Sequence, residues 1–391
     1  MLGFWLFSAF MAFASAIYHF LTGRLRAGME KLASAEAQPV PVNSGPDSWP
    51  MISIIVAARN EEENLPRLLP RLLAQDYPQN RFEILVVDDR STDATPAILA
   101  KWATDYPGRI QALRVEDKPR GVSPKKYALS LAMEKARGDI WFTTDADCLM
   151  PDGWLKALMN RFTVDTGLVL GLTTYRLPDQ PTYWDRVIAL EFASYAFVAA
   201  ALVGLGFPVH GNANNLAYRQ KAYRDQKEKD DHAHLVSGDD DFLLQGIHAT
   251  GHWKIAYAIT PGSAVFTAPP ENLRHFWEQR KRWAGKCLHY RPLQLAFLAA
   301  IFAYYLGITF TILYGLVDFR WLPAGLFLFG WKTGSDWQFM RLACNRFGKR
   351  DLMGGFLGAA LLHIPLIIAA VFAGSFGGFT WKGQQMRTRA D

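Results

Sequence analysis

Three short runs suited to buried strands, each closed by acidic residues and separated by helical periodicity, constrain this chain more than any other feature. Residues 51–58 (Met-Ile-Ser-Ile-Ile-Val-Ala-Ala) are almost continuously apolar and rich in β-branched side chains, the pattern of a parallel strand covered on both faces. Glu61 follows this run within a few residues. Residues 83–89 end in Asp88 and Asp89, and residues 140–147 read Ile-Trp-Phe-Thr-Thr-Asp-Ala-Asp, ending in Asp145 and Asp147. Between the first two runs, Leu65, Leu68, Leu69, Leu72 and Leu73 recur at helical spacing, although Pro70 inside the pattern counts against an unbroken helix. Ser91 and Thr92 offer caps for a helix to about residue 103. Residues 110–115 and 168–174 suit further strands, and residues 125–136 suit a helix that Gly138 can close. Strands alternating with helices predict an α/β fold with a largely parallel central sheet and right-handed crossovers. Ligands gather at the carboxyl ends of such strands. The acids at Glu61, Asp88/Asp89 and Asp145/Asp147 are therefore expected along one edge of the sheet.

Hydrophobic residues make up 50% of the 391, and the excess is concentrated at residues 2–21 and beyond residue 293. Residues 2–21 contain no Asp, Glu, Lys or Arg and are long enough to span a bilayer. Arg24, Arg26 and Lys31 follow, which puts that end in the cytoplasm by the positive-inside rule. Ala14-Ser-Ala16 resembles a signal-cleavage site, but no positive n-region precedes the apolar run. An uncleaved anchor over residues 1–23 is expected, then a linker over 24–50 and a catalytic domain over 51–270. Residues 184–203 read as a long apolar helix that packs on the core, lies at the membrane surface or lines an acceptor groove. Residues 271–291 mix Phe276, Trp277 and Trp283 with Arg274, Arg280, Lys281, Arg282 and Lys286, as an amphipathic helix in the headgroup region does. A membrane region of two to three segments is expected over 292–381, and a basic tail over 382–391. Within that region residues 321–331 are apolar but short and 332–350 amphipathic and basic, so one segment is expected to be re-entrant or interfacial.

The net charge of +6 is modest, and no clustered basic face with a matching motif argues for nucleic acid. Cys148, Cys287 and Cys344 are too far apart for a disulfide framework or a zinc motif, and a reducing compartment suits them. Ala57-Ala-Arg-Asn-Glu-Glu62 lacks the Gly-x-Gly-x-x-Gly turn of a dinucleotide-dependent oxidoreductase.

Six motifs occur in a recognisable order: Ala57-Ala-Arg-Asn-Glu61, Val87-Asp-Asp-Arg-Ser-Thr-Asp93, Pro124-Lys-Lys-Tyr-Ala-Leu129, Asp145-Ala-Asp147, Gly238-Asp-Asp-Asp-Phe-Leu-Leu244 and Gln279-Arg-Lys-Arg-Trp283. Together, over residues 50–290, they resemble the membrane-bound inverting glycosyltransferases of family 2, which include polysaccharide synthases and single-sugar lipid glycosyltransferases. The resemblance implies a GT-A nucleotide-diphospho-sugar transferase domain flanked by transmembrane helices. Its donor would be a UDP-sugar, its acceptor a lipid, lipid-linked or saccharide hydroxyl, and its cofactor Mg2+ or Mn2+.

By the same resemblance, Glu61 and Asp89, ahead of Asp88, hold the uridine part. Lys125 lies near the diphosphate, Asp145 near the ribose and sugar, and Asp147 coordinates the metal. Gln279, Arg280 and Arg282 belong to the Gln-x-x-Arg-Trp element on the diphosphate side, and Trp283 lies by the acceptor. The family's base is an aspartate preceded by glutamate. Here three aspartates stand together, and Asp240 is chosen over Asp239 and Asp241. The resemblance also places the segment from His210 to Asn215 at the acceptor pocket, with no catalytic role for His210. A processive synthase and a non-catalytic sugar-nucleotide-binding scaffold are the rival readings. The donor sugar and the oligomeric state are not encoded in any of these motifs.

Overall fold

The computed structural model describes residues 2–37, 49–117, 122–227, 239–376, 379–381 and 384–386. The expected basic tail lies outside them apart from 384–386, as do residues 38–48 of the expected linker. The first helix, α1 (Leu2–Glu36), is longer than the anchor read from sequence. It continues without a break through residues 24–36, because Ala, Leu, Met, Lys and Glu dominate there and favour helix.

The α/β part of the chain begins with β1 (Ile52–Ala58), α2 (Leu65–Leu73), β2 (Phe82–Asp88), α3 (Thr95–Asp105), β3 (Ile110–Arg114), α4 (Pro124–Lys135) and β4 (Ile140–Asp145). After α5 (Trp154–Met159) come β5 (Thr166–Gly171), β6 (Thr173–Tyr175), α6 (Tyr183–Gly204), β7 (Leu216–Arg219), α7 (Gln220–Lys227) and α8 (Asp239–Ala249). The chain then forms β8 (Lys254–Ala258), β9 (Val265–Thr267), α9 (Leu273–Lys286), α10 (Pro292–Tyr314), α11 (Trp321–Arg346) and α12 (Phe356–Phe376). A seven-stranded sheet has the order β3-β2-β1-β4-β7-β5-β8. β1 runs parallel to β2 and β4, and β7 is antiparallel to both its neighbours. Ile55, Leu85 and Trp141 pack into one apolar layer and Ile54, Ile84 and Phe142 into another, the alternation expected of strands covered on both faces.

Two expectations change. Pro70 does not break α2, which is continuous. A proline at its sixth residue removes one ladder bond, while Leu65, Leu68, Leu69 and Leu72 are fully buried beneath it. The expected strand at 168–174 is two strands: β5 belongs to the main sheet and β6 pairs with β9.

Among the described residues four helical stretches are long and apolar enough to cross a membrane: Gly3–Glu36, Tyr183–Gly204, Pro292–Tyr314 and Arg350–Ser375. The second, in α6, is mostly covered by the protein itself, as its core-packing reading requires. The other three expose large apolar side chains, among them Phe10, Phe13, Phe310, Leu313, Leu357 and Leu361. α11 is one continuous helix, where the sequence suggested a short apolar segment followed by a basic amphipathic one. Its Lys332 is buried and pairs with Asp336 at 2.7 Å, one helical turn away, and Tyr18 of α1 donates to the same carboxylate at 2.7 Å. A lysine neutralised in this way is compatible with apolar surroundings.

α1 also reaches α6. A Cβ on Gly28 would lie 2.2 Å from the Ala201 carbonyl oxygen, and one on Gly204 would lie 2.2 Å from the Gly28 carbonyl oxygen. The backbones of α1 and α6 therefore touch where both helices lack a side chain, the close approach that glycine permits.

Candidate active site

The register of the sheet builds one wall of a cleft. Ala58 stands opposite Asp88, and Ala57 opposite Asp145, so the acidic turns after β1, β2 and β4 emerge side by side. Polar contacts lace the first two turns together. The Asn60 amide donates to Ser91 Oγ at 2.9 Å, the Glu61 amide to Thr95 Oγ1 at 2.8 Å, and the Thr92 amide to Asn60 Oδ1 at 2.9 Å. Asn60 and Arg90 adopt positive φ of 52° and 56°, a conformation uncommon outside glycine and often found at functional turns.

The cleft has a volume of about 530 Å3, and Glu61, Asp89, Lys125, Asp145, Asp147, Asp240, Gln279, Arg282 and Trp283 all line it. Asp89 is buried and accepts from Arg90 Nε at 2.8 Å, with Arg59 3.7 Å away. Asn64 Nδ2 donates to Glu61 Oε2 at 2.7 Å. Asp88 behaves differently: it turns under the loop, accepts from the Ser91 amide at 3.0 Å and does not line the cleft. It is a turn-forming acid.

Lys125, at the start of α4, lies 2.5 Å from Asp145 Oδ1. Asp147 accepts from Thr267 Oγ1 of β9 at 3.0 Å. Desolvation within the cleft, then the neighbouring charges of Asp145 and Glu61, push its carboxyl above the ordinary value. Negative charge thus accumulates where the cleft opens, an environment that suits a hard cation. Among the described residues no three His, Cys, Asp or Glu side chains converge as a self-sufficient metal cage. That fits Mg2+-type ions, which take one or two carboxylates and complete their shell with water and phosphate oxygens.

The opposite wall comes from α8, α9 and the turn before β7. Asp240 is held by the Ala213 amide, donating to its Oδ2 at 3.1 Å, and Asp241 by the Gly211 amide at 2.9 Å. Lys286 Nζ lies 3.3 Å from Asp240 Oδ1 and 2.6 Å from Asp241 Oδ2. Burial raises the Asp240 carboxyl, but Lys286, the Asp241 amide and the charge of Lys125 together outweigh it and hold the group below its ordinary value. Asp241 is buried deeper, beside the Asp240 charge, and is pushed up to about 6. The two neighbouring acids are thereby driven apart. Asp239 opens α8, and its side chain lies outside the described set. His210 is lowered to about 4 by burial and by Lys286, so it is neutral near pH 7.

Arg280 departs from its expected place among the donor contacts. Its guanidinium is fully buried, ion-paired with Glu191 of α6 and donating to Gln279 Oε1 at 2.5 Å. It lies between Phe276 and Trp283, 4.3 and 4.4 Å from their ring centres, and does not line the cleft. The reason is geometric: Gln279 and Trp283 are four residues apart on one helical face, and Arg280 points behind them. Trp283 in turn stacks on Phe192 at 5.7 Å, and Tyr175 Oη donates to Gln279 Oε1 at 3.0 Å. Sequence reasoning assigned no role in the site to Glu191, Lys286 or Thr267. Glu191 is the lone charged residue in 187–203, a local signal that the other two lack.

The fold and this cleft define a class. Residues 53–234 match Glycosyl transferase family 2, and the chain carries a domain of that family in the GT-A fold. The Beta-monoglucosyldiacylglycerol synthase of Synechocystis sp. is 28% identical over 72% of this chain and 57% of its own length. Glycosyltransferase AglE of Haloferax volcanii is 30% identical over 35% of this chain and 44% of its own. The chain thus spans about half the length of these two relatives. The solved structure of Mannosyltransferase PcManGT from Pyrobaculum calidifontis, in complex with GDP-Man and Mn2+, superimposes with a TM-score of 0.54. At 19% identity it covers 95% of this chain and 99% of that one, a likeness of fold.

Proposed function

We propose that this protein transfers a sugar from a UDP-sugar to a hydroxyl of a lipid, lipid-linked or saccharide acceptor at the cytoplasmic face of a membrane, with inversion at the anomeric carbon. The observation that carries this reading is the division of one cleft into two walls. Glu61, Asp89, Lys125, Asp145 and Asp147 line one, and Asp240, Lys286 and Trp283 line the other. On this reading Glu61 and Asp89 bind the uridine, Asp145 contacts the ribose and sugar, and Lys125 and Arg282 face the diphosphate, arginine offering bidentate contacts. Mg2+ or Mn2+ would be held by Asp147 and would supply Lewis-acid neutralisation of the departing diphosphate.

Asp240, kept ionised by Lys286, removes the proton from the acceptor hydroxyl as that oxygen attacks the anomeric carbon. A single displacement needs such a base on the face opposite the leaving group. Trp283 offers an aromatic platform to the acceptor. The three stretches with exposed apolar side chains support a bilayer location for α1, α10 and α12, with the cleft at its cytoplasmic surface. A panel of radiolabelled UDP-sugars incubated with membranes containing the chain tests the proposal. Unchanged turnover after Asp147→Ala or Asp240→Asn would refute it.

A further inference from the structure

Behind Trp283 the cleft adjoins a second cavity of about 360 Å3, lined by α1, α6, α9, α10, α11 and α12. Phe192, Asn212, Asp240, Trp283 and Lys286 line both spaces, so they meet at the acid that the proposed reaction uses as its base. We propose that this chamber receives the hydrocarbon chain of a lipid acceptor and thereby presents the lipid's hydroxyl to Asp240. The inference rests on the transferase reading of the cleft and specifies its acceptor.

The wall supports it in three ways. First, the lining is predominantly carbon, from residues such as Leu202, Ile301, Phe339, Ala360 and Ile367. Second, several polar side chains in the wall are engaged with one another. Tyr18 donates to Asp336, Tyr305 Oη and His363 Nε2 are 3.1 Å apart, Tyr195 donates to Glu191 at 3.0 Å, and Arg280 is committed to Glu191. An alkyl chain therefore strands none of these groups, whereas a saccharide entering here would surrender its hydration without replacement hydrogen bonds. Third, α1, α10 and α12 carry exposed apolar side chains on their outer faces, so a molecule dissolved in the bilayer meets this part of the protein first. The volume falls within the ~300–1,000 Å3 usual for small-molecule sites.

The test uses the full chain in phosphatidylcholine nanodiscs and hexadecanol bearing a diazirine on its terminal carbon, with labelled residues mapped by mass spectrometry. Labelling is expected on residues that line the chamber but not the cleft, such as Met340, His363 or Ile367. It should fall at least fivefold in both Ala360→Trp and Ile301→Trp, which fill the cavity from different helices. UDP titration of the same samples reports an intact donor side. Labelling confined to outward-facing residues such as Phe310 and Leu361, or equal in parent and variants, overturns the proposal. Displacement of the label by cellotetraose does so too, and assigns the chamber to a saccharide. Failure of the parent chain to bind UDP, with the chamber still labelled, would instead refute the donor reading alone.

Discussion

Lys286 Nζ sits 2.6 Å from Asp241 Oδ2 and 3.3 Å from Asp240 Oδ1, so one ammonium on α9 serves two adjacent carboxylates on α8. The acid exposed to the cleft is the one held below its ordinary value, and its fully buried neighbour carries the raised affinity for a proton. Asp240 is therefore ionised, and able to accept a proton, well into mildly acidic solution.

Replacing Lys286 by Gln removes the charge that opposes burial. The Asp240 proton affinity then rises, and the acid limb of the kcat/KM profile should move to higher pH by about 1–3 units. Asp241, Lys125 and His210 are the other titratable groups facing Asp240, and none of them replaces the lost contact. A pH–rate series on the parent and Lys286→Gln decides the point. An unmoved acid limb would show that Asp240 is not the titrating base.

The buried pair of Glu191 and Arg280 gives a second expectation. Its side chains are 5% and 1% exposed, and removing one partner leaves an uncompensated charge in a dry site. Glu191→Gln should cost about 3–5 kcal/mol of stability, measured by chemical denaturation in detergent. Glu191→Leu combined with Arg280→Met should recover much of that loss. Equal stability of the parent and the single variant would contradict the role assigned to the pair.

Removal of divalent metal by chelation should abolish transfer, with Mn2+ or Mg2+ restoring it. Asp147→Asn should lower turnover by at least about 100-fold, on the scale of several kcal/mol expected for a lost Lewis-acid contribution. Calorimetry with UDP in the presence and absence of Mn2+ supplies an independent readout. Metal-independent UDP affinity in the parent chain would exclude Asp147 as the ligand.

Trp283→Ala should act on the acceptor side. Its ring rests on Phe192 and stands edge-on to Tyr195 at 5.6 Å, so its loss opens the junction between cleft and chamber. Acceptor KM is expected to rise roughly 10-fold or more, about 1.4 kcal/mol, while UDP affinity stays within a factor of two. A matching loss of UDP affinity would place Trp283 on the donor side.

The parallel half of the sheet was legible because a strand buried on both faces has little freedom in composition. The runs at 52–58, 82–88 and 140–145 each carry that signature, and the acids Glu61, Asp89, Asp145 and Asp147 at or just beyond their ends meet in one cleft. What was illegible depends on tertiary partners. Nothing local shows that Arg280 turns back onto Glu191, 89 residues away in sequence, or that Lys286 reaches α8. The continuity of α11 was hidden for a similar reason: Lys332 looks like a helix-ending charge until Asp336 and Tyr18 are seen to neutralise it. The split of 168–174 into β5 and β6 follows from β9, a strand too short to announce itself.

The contact between Gly28 and Gly204 has a mechanical consequence. A transferase tethered by a flexible stalk can roam above its membrane and sample acceptors at many heights. Here the anchor and the helix that bears Glu191 and Phe192 are clasped backbone to backbone, so with α1 embedded the cleft keeps one stand-off and one tilt. On the proposed reading the acceptor is lifted to the enzyme, and a lipid too short to bridge that gap is excluded by geometry, whatever its chemistry.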